Sequence, residues 1–436
     1  MSSASYAQSS SAPTRIWWGN GFFFILIHVA TVVGVIWYPI YAVSRASIVM
    51  AVVLWQLASL GITVGYHRLY SHRAFQASAG VKLLAALLGA SAFQGSIKAS
   101  WWCLRHRLHH RFTDDPVHDP YAATRGLLWS HMGWIFFQSH YALLDRIEKS
   151  DLERDPIVNF QHRYYVPLAV SLGLILPPVL GTLWGDPYGA FVWGGLVARL
   201  FTWHCTFLIN SLAHWKGLQP YSDDNTSKTN LILALLTCGE GNHNFHAFPH
   251  DYRSGPAPFD WDPSKWVILL IHRLGFIYGL RIAREEDIQA AKAHMIRQVT
   301  HTTVRQLSLP TQDAAEDNED EDKWSGEAWT WDDVNQYVLA RRGTGACMVV
   351  IDGYVVDVTG YLGEHPGGAA FLRRYSVSAI KKGGCDKETA AQSIQDLTGT
   401  DTESANWAFH GGMNKHSHAA KRRMRELRVA RISDSI

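Results

Sequence analysis

The reading of the fold turns on residues 15–72, RIWWGNGFFFILIHVATVVGVIWYPIYAVSRASIVMAVVLWQLASLGITVGYHRLYSH. No Asp, Glu, Lys or Arg lies between Arg15 and Arg45, and none between Arg45 and Arg68. A helix crossing the hydrocarbon core needs about 20 apolar residues. The stretch therefore predicts two membrane spans joined by a short turn around Arg45, with His67 and His72 following the second.

Working outward, the same pattern recurs from Val166 to Trp184 and from Tyr188 to about Asn210, joined at Gly185 and Asp186. Four spans in two hairpins result, and the fold class is mainly α. Arg199 lies inside the fourth span, where a charge is costly, and is expected to face protein or to snorkel. The apolar run Val81–Ile97 carries Lys82 and Gln94 and is short; it reads as a buried or interfacial helix. Two hairpins put the N-terminus, the segment from His67 to Tyr165 and everything after His214 on one side. Most Lys and Arg residues lie there, so the positive-inside rule makes that side, with both termini, cytosolic.

Composition separates a membrane part from a polar one. The 436 residues are 47% hydrophobic, yet the first two-thirds holds the charge-free runs and the last third is strongly charged. A net charge of +2 argues against a nucleic-acid partner. Five cysteines without CxxC spacing fit a reducing compartment and no disulfide framework. Residues 1–15 form a polar tail without the basic start and cleavage site of a signal peptide, so the first span reads as a retained anchor. The membrane domain covers residues 16–300. An acidic linker follows at 301–323, with seven Asp and Glu residues from Asp313 to Asp322. A small α+β domain occupies 324–436 and ends in a basic stretch, Lys421–Arg431, read as a solvated helix face.

The 22 histidines cluster. His67 and His72 stand in GYHRLYSH, His106, His109 and His110 in RHRLHH, and His243 and His246 in GNHNFH, while His214 ends NSLAH. Helical residues three and four apart share a face, so His106, His109 and His110 are expected to converge on one centre, and His243 and His246 to repeat that geometry. Imidazole suits iron or zinc, and no thiolate pair is near to make a zinc ribbon. Eight imidazoles desolvated without partners would be expensive, which favours a shared metal site. His28 and His204 lie within spans, and His118, His131 and His140 lack ligand spacing; none is assigned a metal.

The words GITVGYHRLYSHRAF, WWCLRHRLHHRFTDDP, RGLLWSHMGW, NSLAHWKGLQP and GEGNHNFHAFPHDYR resemble the acyl-CoA Δ9 desaturases, in the fungal type with a fused haem domain. The resemblance covers roughly residues 17–284. It implies an endoplasmic reticulum membrane enzyme in which two non-haem irons use O2 and two electrons to place a cis double bond in a saturated acyl-CoA, stearoyl or palmitoyl. It further implies that His67, His72, His106, His109, His110, His214, His243 and His246 are the metal ligands and that Asn210 acts through water. One departure stands out. The family's third box reads HxxHH, whereas Ala247 follows His246 here, so eight histidines stand where the family has nine, with water or another group such as His250 for the vacant place. Related histidine boxes also serve membrane lipid hydroxylases and desaturases of other lipids, and a catalytically idle haem relay is the rival from another class.

The segments WTWDDVNQYV, MVVIDGYVVDVTGYLGEHPGG and NKHSHAA resemble cytochrome b5, which implies haem b. His365 in HPGG matches the first axial ligand and His416 the second, with His410 and His418 as rivals. The interval between His365 and His416 is longer than the family's, and the extra sequence, including Lys381–Gln392, is expected to form a loop. Two axial histidines would leave no site for O2, so the domain would pass electrons, received from an NAD(P)H-dependent cytochrome b5 reductase.

Overall fold

Helix α1 (Trp18–Trp37) contains no ionisable side chain except His28, and Phe22, Ile25, Val29, Val32 and Ile36 on its outer faces are exposed. Apolar surface of that extent has no counterpart on a water-soluble helix and suits lipid. In the computed structural model, among the described residues, four helices are long and apolar enough to cross a membrane: α1, α2 (Arg45–Ser71), α6 (Tyr165–Trp184) and α7 (Pro187–Trp215). The described residues are 15–97, 102–138, 141, 143–307, 324–341, 343–362, 365, 369–377, 405–406, 408–410, 416 and 418–433. They divide into two units, Met1–Gln219 with Asn225–Ala283, and Pro220–Asp224 with Arg284–Ile436.

In the first unit the two hairpin turns are tied by Asp186. Its carboxylate accepts from Ser44 N (2.9 Å), Ser47 Oγ (2.7 Å) and Gly189 N (2.9 Å), while Ser44 caps α2. Gly185 turns the chain with φ 75°. α2 runs on without interruption and from Gly61 to Ser71 is wound as a π-helix. Helix α3 (Ala79–Ser91) packs along that segment, with Gly61 against the backbone of Leu88 and Gly89 and Gly65 against Ala85; small residues permit this close approach. At 13 residues α3 is too short to cross, and it is buried on one face with Leu84 exposed on the other. Arg199 is 2% exposed and donates to Ser91 O (2.5 Å) and Leu54 O (3.1 Å), so it faces protein.

One correction concerns span length. α2 is 27 residues long, so it carries His67 on the helix itself rather than after it; α7, 29 residues long, has His214 at its end. Beyond them lie α4 (Trp102–Arg111), α5 (Leu127–His131), α8 (Leu231–Leu236) and α9 (Pro263–Arg273).

The second unit begins with α10 (Glu285–Leu307), so residues 301–307 of the expected linker are helical. Residues 308–323 lie outside the described residues. A four-stranded sheet then forms from β1 (Glu327–Trp329), β2 (Met348–Ile351), β3 (Tyr354–Asp357) and β4 (Arg428–Ile432), in the order β1-β4-β3-β2. Asp352 and Gly353, at φ 55° and 75°, make the tight hairpin turn that Asp-Gly favours. Thr330 and Asp333 form a capping box at the start of α11 (Trp331–Ala340). Among the described residues the unit also contains α12 (Ala369–Arg374) and α13 (His418–Glu426). The basic stretch Lys421–Arg431 is therefore not one helix face: it turns at Leu427 into β4, where alternation buries Ala430 and lays the Arg428 guanidinium 3.6 Å over the Tyr354 ring.

Candidate metal centre

His67 and His72 are five residues apart, a spacing that an α-helix at 100° per residue would splay by about 140°. The π winding removes that difference. His72 N donates to His67 O (3.0 Å), an i→i+5 bond that closes the turn and brings the two rings to 4.6 Å between centroids. A rare helix form thus stands at the point where two histidines come to share a side.

α4 supplies three imidazoles, and here the expectation of one shared centre is corrected. Relative to His106, His110 is rotated by about 40° one way and His109 by about 60° the other. His106 and His110 accordingly join His67, His72 and His246 in one group, and His109 joins His214 and His243 in another; within each group the ligand nitrogens lie within 4.8 Å of one another. The turn His243–Ala247 is 3₁₀ rather than α, and its two histidines also divide between the groups, their rings 5.6 Å apart. The groups adjoin along His106–His109 and His243–His246. All eight expected ligands are thus assembled, five and three. Asn210 precedes His214 by four residues on α7.

The Nε2 atoms of the first group point at one another: His67 and His246 at 3.0 Å, His72 and His106 at 2.8 Å, His110 and His106 at 3.1 Å. Burial, reinforced by the neighbouring imidazoles, holds His72, His106, His110 and His246 well below the ordinary histidine range. Burial likewise lowers His243 to about 3. Neutral imidazoles with convergent nitrogens are the form that binds a metal. In the second group His214 Nε2 is buried with no hydrogen-bond partner, which suits a metal-ligand atom. The residues fit two metal ions.

A shell of polar side chains fixes these rings. His109 Nδ1 bonds Asp119 Oδ1 (2.8 Å); although burial opposes it, the carboxylate raises the His109 imidazole. His214 Nδ1 bonds Thr226 Oγ1 (2.9 Å), which in turn donates to Asp114 (2.9 Å). His67 Nδ1 lies 3.4 Å from Glu240 Oε1. Glu240, although buried, is held at about 2 by Arg68 and His67, and Arg68 also pairs with Asp262 (2.9 Å). Arg107, on the face of α4 away from the centre, donates to Tyr70 O and Ser71 O at the end of α2 and to both oxygens of Asp151. Such partners orient the ring and select which nitrogen faces the metal. Sequence reasoning missed all of them, although Asp114 and Glu240 lie within its quoted words.

His250 does not join either group: its Nδ1 bonds His72 O (3.0 Å). His28, His204 and His131 also stand apart, in a line. His204 Nε2 meets His28 Nε2 at 3.1 Å and its Nδ1 meets His131 Nε2 at 3.0 Å; with opposite nitrogens engaged, His204 does not aim this set at one point. His118 pairs with Asp115, and His140 lies outside the described residues.

In the second unit His416 Nδ1 bonds Phe409 O (2.7 Å) and the ring stacks on Phe409, so Nε2 is the nitrogen that would meet a haem iron. His410 is instead held by Asp352 (2.6 Å). His418 begins α13, and His365 packs edge-on to Tyr361 at 5.8 Å. Pro366, Gly367, Gly368 and the expected loop over Lys381–Gln392 lie outside the described residues.

Residues 36–252 match the model of the fatty acid desaturase family, and residues 330–433 that of the cytochrome b5-like heme/steroid binding domain. The chain is 34% identical to a probable acyl-CoA desaturase of Schizosaccharomyces pombe, over 93% of this chain and 76% of that one. It is also 34% identical to acyl-CoA desaturase 1 of Saccharomyces cerevisiae, over 88% and 68%. To a Delta(9)-fatty-acid desaturase of Caenorhabditis elegans it is 35% identical, over 63% and 83%.

Proposed function

Because the chain belongs to the fatty acid desaturase family and carries a cytochrome b5 domain behind it, we propose that it desaturates saturated acyl-CoA at Δ9 with its eight clustered histidines as the ligands of two irons. The observation that carries this reading is the convergence of those imidazoles into two adjoining buried groups. The chain is a multi-pass membrane protein with four apolar helices.

The balance is fixed by chemistry: an acyl CH2–CH2 unit, O2, two electrons and two protons give a cis CH=CH and two waters. Methylene hydrogens are beyond any side-chain acid or base, and the bound irons would supply the activation of O2 that removes them. The protein's own part is to hold the ligands and keep water out. His67, His72, His106, His110 and His246 would hold a metal through Nε2, and His109 and His214 through the Nε2 that Asp119 and Thr226 leave facing inward. Trp102 walls the five-histidine group, stacked 5.1 Å from His106 and edge-on at 6.4 Å from His67. Asn210 acts through a water.

The haem domain delivers electrons. His365 and His416 would hold the haem iron between them and leave no open position for O2, and fusion would keep the donor at high effective concentration. The electrons come from an NAD(P)H-dependent cytochrome b5 reductase. The membrane is that of the endoplasmic reticulum, and a cytosolic position of both termini is supported by the excess of Lys and Arg outside the two short turns.

The test is the fatty-acid profile of cells lacking their own Δ9 desaturase and expressing this chain or its His109→Ala and His365→Ala variants. New 16- or 18-carbon monoenes, lost in the first variant and reduced in the second, are expected. A membrane-inserted, haem-loaded protein that yields no monoene would refute the reading.

A further inference from the structure

The two histidine groups differ in donor number, and that difference has a chemical consequence. Around a six-coordinate ion, five imidazoles leave one position open and three leave three. Three protein donors with open positions are the arrangement that non-haem iron oxygenases use to admit exogenous ligands.

Among the described residues, the side chains around the second group do not fill its open positions with a direct donor, and Asn210, four residues before His214 on α7, would act only through a water. Asp119 is engaged with His109 Nδ1, with Asp114 N and with Tyr121 N. Asp114 accepts from Thr226 N and Oγ1, and its closest approach to His214 is 3.7 Å, on the Nδ1 side turned away from the group. Among the described residues, His250 belongs to neither group; its Nδ1 is tethered to the carbonyl of His72, a member of the five-histidine group, and its Nε2 is buried without a hydrogen-bond partner. The turn that supplies His243 ends at Ala247, whose methyl group offers no donor where the family has a third histidine.

We propose that the two metal positions are functionally unequal. The five-histidine position holds its iron tightly, whereas the position at His109, His214 and His243 holds the exchangeable iron and is the one that exogenous ligands reach. This rests on the proposed di-iron function and adds to it a division of labour between the irons. Donor count sets the order of affinity, and open positions set where a small anion or O2 can bind.

The experiment is a chelator-release assay on the full-length, haem-loaded protein in detergent, counting non-haem iron by elemental analysis after separate determination of haem. Two phases are expected, with about one iron lost early and one retained. His214→Ala should abolish the early phase while leaving about one iron bound. Ala247→His, which adds a fourth imidazole on the turn that carries His243, should slow the early phase by at least about tenfold, the scale on which even an outer partner acts. Added azide should produce a near-ultraviolet absorption that disappears with the early iron. Two irons leaving in a single phase, or an early phase that Ala247→His leaves unchanged, would overturn the inference while sparing the di-iron reading. A preparation that never holds non-haem iron would overturn both.

Discussion

His109 Nδ1 and Asp119 Oδ1 lie 2.8 Å apart, and both side chains are buried, Asp119 completely. The carboxylate fixes the tautomer and the rotation of a ring that α4 alone would leave free to turn, and it adds negative charge beside a site for cations. Asp119→Asn keeps the shape and removes the charge. Iron affinity at the three-histidine position is expected to fall by about 10- to 100-fold, while iron at the five-histidine position stays. Iron content against free-iron concentration, measured for wild type and variant, checks this.

Arg68 joins Glu240 and Asp262 in a buried cluster in which both carboxylates carry charge-assisted hydrogen bonds from one guanidinium. Replacing it with Met leaves two buried carboxylates unpaired, a change worth about 3–5 kcal/mol in buried pairs. Arg68→Met should therefore lower the thermal midpoint in detergent substantially. Arg68→Met combined with Glu240→Gln and Asp262→Asn should recover part of that loss, because the uncompensated charges are gone.

The parts legible in the sequence were those written in local pattern. Charge-free runs marked four helices, and histidine words marked the eight histidines that gather into the two groups, because both features sit in contiguous stretches. The grouping into five and three was not legible. It depends on α4 being viewed end-on, with His106 and His110 on one side and His109 on the other, and on the π winding of Gly61–Ser71 that carries His72 back beside His67. The spacing of those two, five residues apart, was a usable signal, since no α-helix brings such a pair together. Thr226 and Glu240 reach their histidines only through tertiary contact, across 12 and 173 residues of chain, and no motif announces them. In the second unit the alternation of RVARI was overlooked under the sign of its charge.

Gly61 on α2 meets the backbone of Leu88 and Gly89 on α3 so closely that a Cβ has no room, and the obstructing atoms are backbone rather than a movable side-chain end. Gly61→Val should push α3 away from the π-wound segment that carries His67. A loss of about 1–3 kcal/mol is expected from overpacking, together with lower non-haem iron content at unchanged haem content. Gly80 has open space where a Cβ would lie, so Gly80→Ala should leave both quantities unaltered and serves as the matched control.

The haem prediction separates two histidines six residues apart. His410 is engaged at Nε2 with Asp352, 2.6 Å away, and sits half out in solvent. His416 directs Nδ1 to a backbone carbonyl, the contact that sets the other nitrogen toward an iron. His416→Ala should thus convert a six-coordinate, low-spin haem into a form with an open position, visible as a shifted Soret band and as carbon monoxide binding by the reduced protein. His410→Ala should keep the wild-type spectrum and exclude carbon monoxide, losing at most the modest stability of a surface pair, about 0–1 kcal/mol. The reverse pattern, with carbon monoxide binding in His410→Ala alone, would move the second axial ligand to His410.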